Sequence, residues 1–136
     1  MNSVLKTRRL INRSGSSYQP ECVVNYRNAA SDKRLVFPKA IGKLIRDGKF
    51  CHLEYKVNEI EHIVYLLFYN KPSDESIKIE LDEHTSDNNN RKLVVRNKSL
   101  IEYMKQDLDI ISEQVDLELS KNLSNNSDFL SFKITK

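Results

Sequence analysis

The feature that most limits how this chain can fold is an internal repetition, because the same order of apolar patterns runs through it twice. Lys33-Arg34-Leu35-Val36 recurs as Arg91-Lys92-Leu93-Val94. Ile41, Leu44 and Ile45 match Leu100, Tyr103 and Met104, and Leu53-Glu54-Tyr55 matches Leu117-Glu118-Leu119. Leu66 and Phe68 match Leu130 and Phe132. Each match alone is short. Their shared order, with gaps confined to loops and to an extra turn in the second helix, points to a duplicated unit. Half of a 136-residue chain buries too little apolar surface to be stable alone. The two copies are therefore expected to share one core.

Within each copy the patterns read strand, strand, short helix, strand, strand. Cys22 to Tyr26 and Leu35 to Phe37 carry the β-branched and aromatic residues of strands. Pro38 suits the first position of a helix, where its missing N–H costs nothing. Ala40, Ile41, Leu44 and Ile45 form one helical face, and Asp47-Gly48 stops the helix. Cys51, Leu53, Tyr55 and Val57 alternate with polar neighbours, as in a half-buried strand, and Ile63 to Tyr69 reads as a buried one. In the second copy Ile77 to Leu81 and Leu93 to Val95 are the first two strands. A longer helical stripe runs from Leu100 to Ile111, and Val115 to Leu119 and Leu130 to Ile134 close the unit. The expected fold class is α+β and strand-rich, two tandem strand–strand–helix–strand–strand units sharing one core as a swapped-hairpin-like barrel. Residues 1–20 read as a basic flexible tail, 21–70 as the first unit, 71–76 as a linker and 77–136 as the second unit.

The net charge of +3 is unevenly spread. Residues 1–40 hold eight basic side chains against Glu21 and Asp32, a surplus of six, which leaves the remainder at −3. A basic N-terminal segment ahead of a mildly acidic body suggests an anionic partner at that end, or simply a solvated tail. No apolar run approaches the roughly 20 residues that cross a bilayer, and residues 1–10 lack the apolar core of a secretory signal. Cys22 and Cys51 do not make a disulfide framework, so a reducing, cytoplasmic setting is expected.

The segment Lys33-Arg34-Leu35-Val36-Phe37-Pro38-Lys39-Ala40-Ile41, followed by Asp47-Gly48 and the alternating strand from Cys51 to Val57, resembles the core motif of AbrB-type swapped-hairpin domains. The likeness covers residues 22–69 and reaches 77–135 only through the repetition. Two copies in one chain resemble the MraZ arrangement. The resemblance implies a DNA-binding transcription regulator whose basic loop and second strand make the contacts. The second copy departs from the motif, with Arg96-Asn97 where the first has Pro38-Lys39, and with an acidic, polar loop from Glu83 to Asn90.

Catalytic chemistry is hard to place. Cys51 and His52 are neighbours on one strand and point to opposite faces, so a Cys–His site is open only with His62 across a hairpin. Three glycines cannot build a glycine-rich phosphate loop, and no metal-ligand spacing occurs. The chain is read as a non-enzyme with no cofactor and no metal. Two functions remain. In the first, Arg27, Lys33, Arg34 and Lys39 contact the phosphates of duplex DNA, unevenly, because Glu83 and Asp87 in the second copy repel them. In the second, the chain is a protein-interaction or assembly module without DNA binding. Either a monomer or a homo-oligomer fits.

Overall fold

The computed structural model describes residues 22–81, 91–121 and 129–136. The strands are β1 (Cys22–Ala29), β2 (Asp32–Phe37), β3 (His52–Asn58), β4 (Ile63–Tyr69), β5 (Ile77–Lys78), β6 (Leu93–Val95), β7 (Gln114–Lys121) and β8 (Phe129–Thr135). Helix α1 (Lys39–Asp47) follows β2, and α2 (Lys98–Asp107) follows β6. The tail at 1–20 and the loop Glu83 to Asn90 lie outside the described residues.

This architecture corrects the expected α+β class of tandem units in a barrel. Of the described residues 48% are strand and 19% helix, and all eight strands join one antiparallel sheet that curls into a half-barrel. The strand order is β5-β3-β4-β8-β7-β1-β2-β6. The hairpin of β1 and β2 is not paired with that of β3 and β4, because β7 and β8 lie between them in the sheet. Instead β1 pairs with β7 from Cys22↔Leu119 to Arg27↔Gln114, and β4 pairs with β8 from Val64↔Ile134 to Tyr69↔Phe129. The physical reason is burial. Neither half has apolar surface enough for its own core, and lining up both sets of strands lets them curl around one cluster. The half-barrel is open because β5 and β6, its two edges, are not paired to each other.

The period-2 patterns decide what faces inward. Val24 and Tyr26 on β1, Leu35 and Phe37 on β2, Val64, Leu66 and Phe68 on β4, and Phe132 and Ile134 on β8 are all fully buried. Phe37, Phe68 and Phe132 meet at the centre, with ring centroids 5.6 to 6.4 Å apart. Helix α2 packs on β1, β2 and β4, and the Tyr26 hydroxyl donates to the Ile101 carbonyl at 2.9 Å. Burial raises that phenol above its ordinary pKa.

The helices differ from expectation in ways their geometry explains. On α1 the inward face is Ile41, Gly42, Ile45 and Arg46, and Leu44, expected in the core, is 41% exposed. At 100° per residue Leu44 falls about 130° from the centre of that face. Tyr103, its repeat partner on α2, is exposed for the same reason. Helix α2 also stops short of the expected stripe. Leu108 is its C-cap, and Ile111 lies beyond it, exposed. Leu130, matched to Leu66 by the repetition, is half-buried where Leu66 is fully buried.

Both helices end in the same Schellman geometry. The Phe50 N–H donates to the Ile45 carbonyl and the Ile110 N–H to the Lys105 carbonyl, each at 3.0 Å. The left-handed position is taken by Lys49 (φ 54°) in one and Asp109 (φ 55°) in the other. Gly48, read with Asp47 as the stop of α1, is its C-cap and has an ordinary φ of −87°. Its function is steric, since a Cβ there would lie 2.0 Å from the Phe50 ring.

Candidate nucleic-acid interface

Arg27, Lys33 and Arg34 were expected in and beside a loop, but the structure places them on a regular hairpin. Strand β1 runs to Ala29 and β2 starts at Asp32, with Arg27 directly opposite Arg34. Strand alternation puts both on the outer face, since Tyr26 and Leu35 point into the core. Asp32, also on β2, reaches both guanidinium groups, 3.0 Å from Arg27 Nε and 3.4 Å from Arg34 Nε. Arg27 further donates from Nη1 to Gln114 Oε1 at 2.7 Å. One carboxylate between two guanidiniums leaves the trio with a surplus positive charge.

Lys33 has the opposite parity and does not join them. Its ammonium donates to Asn28 Oδ1 and lies 4.0 Å from Glu102 Oε2 on α2. It is therefore tied to the helix side of the sheet, away from Arg27 and Arg34. Lys39, the first residue of α1, is exposed and does come together with Arg34.

Arg34 and Lys39 line a shallow groove of about 580 Å³ on the outer face of β1, β2 and β7. Val23, Asn25, Val36 and Pro38 form its floor and walls, and Asp116 on β7 is its one carboxylate, held by the Asn25 amide at 2.8 Å. The third cation is Lys92 from the second copy. The repetition matches Lys92 to Arg34, and β6 pairs with β2 in the register Phe37↔Leu93, so Lys92 falls beside Pro38 and Lys39. Sequence similarity alone could not show that the two copies' basic residues converge, because the convergence depends on that pairing.

The start of α1 opens beside this groove. Its N-cap is Pro38, no side chain caps it, and its first turn holds no acidic residue. The first-turn N–H groups thus keep the partial positive charge of a helix N-terminus. Helix α2 is different, because Asn97 Oδ1 accepts from the Leu100 N–H at 2.9 Å.

Arg46 is the functional-looking residue that sequence reading passed over. It is 6% exposed and donates to the carbonyls of Arg91 at 2.8 Å and Lys92 at 3.2 Å. This clamps α1 onto the start of β6 and so fixes where Lys92 sits. Gly42 allows the approach, since a Cβ there would meet Leu93 Cβ at 3.1 Å. A glycine inside a helical pattern was the available cue.

The Cys–His possibility across the hairpin does not survive the register. His52 pairs with Tyr69 and Asn58 with Ile63, so Cys51 and His62 stand at opposite ends of the hairpin. His62 instead places Nδ1 3.2 Å from the Asp107 carbonyl. The Asp107 carboxylate accepts from Tyr55 at 2.6 Å, and burial together with that bond raises the Tyr55 pKa. Among the described residues no cluster of three metal-ligating side chains occurs, and no helix is long and apolar enough to cross a membrane. No protein-family model, curated protein or solved structure matches the chain.

Proposed function

We propose that this chain binds duplex DNA through the outer groove, as a small non-catalytic regulator acting in the cytoplasm. The observation that carries the reading is the convergence of Arg34, Lys39 and Lys92 on one groove beside the uncapped start of α1. Cations and free helix amides both favour phosphate oxygens. The likeness of residues 33–48 to the AbrB-type motif supports the same function, and it covers the strand and helix start that form the groove. Arg27 extends the contact along the hairpin. Lys33 has no direct part in it, being bound on the other side of the sheet.

The test is the salt dependence of affinity for a random-sequence duplex, measured by fluorescence anisotropy. Each phosphate contact removed should lower the slope of log affinity against log salt by about 0.9. Arg34→Ala and Lys92→Ala should each weaken binding and flatten the slope by that amount, and Lys33→Ala should leave the slope unchanged. A parent protein whose affinity does not depend on salt would refute the proposal.

A further inference from the structure

We infer that the open seam between β5 and β6 takes an extended acidic segment of a partner protein as an added strand. Three adjoining cavities lie along the seam. A small pocket at one end, about 140 Å³, is walled by Leu53, Tyr55, Ile77 and Tyr103. It adjoins at Asn97 a cavity of about 350 Å³ between Lys78–Glu80 and Val94–Arg96. That cavity shares Glu80, Val94 and Arg96 with a third, of about 380 Å³, which continues past Leu81 and Lys92. Residues 77–81 span roughly 16 Å at the rise of a strand.

Backbone geometry suits strand addition. The Ile79 N–H donates to the Cys51 carbonyl at 2.7 Å, toward β3. Polar groups alternate direction along a strand, so those of Lys78 face the seam. Among the described residues the facing edge of β6 has no strand on that side. In the first copy the equivalent edges are bonded to each other as β1 and β2. An extended peptide between β5 and β6 would supply the same bonds to both edges.

The side chains specify its character. Ile79, Leu93 and Val95 point inward and are buried, so every second residue of the guest should be apolar. Lys78, Lys92 and Arg96 are exposed on the other face, and none is ion-paired among the described residues. Against them stand Glu80 and, at the tyrosine end, Glu75. The intervening residues should therefore be acidic. The exposed Ile77 and Tyr103 offer an apolar slot for a terminal aromatic side chain. This chain's own residues 1–20 have the wrong charge for the seam, since they carry Lys6, Arg8, Arg9 and Arg13 and no acid. A second copy's identical edge would bring the same cations and is disfavoured for that reason.

The probe is a fluorescein-labelled peptide of about seven residues, alternating glutamate and valine and ending in phenylalanine, with a lysine-for-glutamate version as control. Anisotropy with the full chain should show saturable binding of the acidic peptide alone. Lys78→Glu combined with Arg96→Glu should weaken it at least tenfold, and Arg34→Ala should not change it. Tyr103→Ala, at an exposed position, should weaken the peptide ending in phenylalanine but not one ending in alanine. This arm stands even if the double variant fails to fold. Absence of saturable binding, or equal binding of the two peptides, would overturn the inference.

Discussion

Cutting the chain at residue 76 is expected to abolish folding of the second half. A monomer of residues 77–136 should show no cooperative melt and only weak circular-dichroism signal. Among the described residues of the intact chain β6 is paired only with β2 and β5 only with β3, and in the fragment β7 and β8 would each lose one of their two neighbours. The fragment keeps one strand pairing, β7 with β8, and an isolated two-stranded hairpin is marginal in water. It also loses the rings of Phe37 and Phe68 that pack on Phe132. Adding residues 1–76 in trans should restore a cooperative transition, because the missing strands and rings would return together. A concentration-independent, cooperative melt of the fragment by itself would show that the second half has a core of its own.

Phe37→Ala should cost about 3–5 kcal/mol, the usual range for deleting a fully buried aromatic side chain. Phe37 has no exposed surface and touches Phe68 edge to face at 5.7 Å and Phe132 at 6.4 Å. These rings come from β2, β4 and β8, so the cavity would open where both halves of the chain meet. Total stability of a domain this size is only about 5–15 kcal/mol, which makes the loss severe. Urea unfolding should show a much lower midpoint with little change in slope. By contrast Leu44→Ala, on the exposed side of α1, should change stability by under about 0.5 kcal/mol. A loss below about 1 kcal/mol for Phe37→Ala would mean that the three rings are not the hub of the core.

Local patterns in the chain were readable, and partnerships between distant segments were not. Alternation identified the inward face of β3, and Pro38 marked the entry to α1, because both signals act over a few residues. The repetition told which segments are equivalent but not which ones pair. Cys22↔Leu119 and Val64↔Ile134 bring together residues about 70 to 100 apart, and nothing local encodes such a choice. The same gap explains the site. Arg27, Arg34 and Lys39 stood out as basic residues near one another in sequence, whereas Lys92 joined them only through the pairing of β6 with β2. Lys33 lies apart from them because a single step along a strand reverses the face, and its residue type carries no sign of which face it takes. Arg46 looked like any surface cation on a short helix. Its burial depends on two carbonyls that β6 delivers from 45 and 46 residues away.

The most direct test of the account is to map the DNA-binding surface by amide chemical-shift perturbation, titrating a short random-sequence duplex into the labelled full chain at low salt. The account predicts that the largest shifts fall at Val23, Asn25, Arg34, Lys39, Ala40 and Lys92, around one groove contributed by both copies, and that Lys33 moves little. Shifts centred on Ile77–Leu81 and Tyr103, or no shifts at all in the presence of excess duplex, would contradict it.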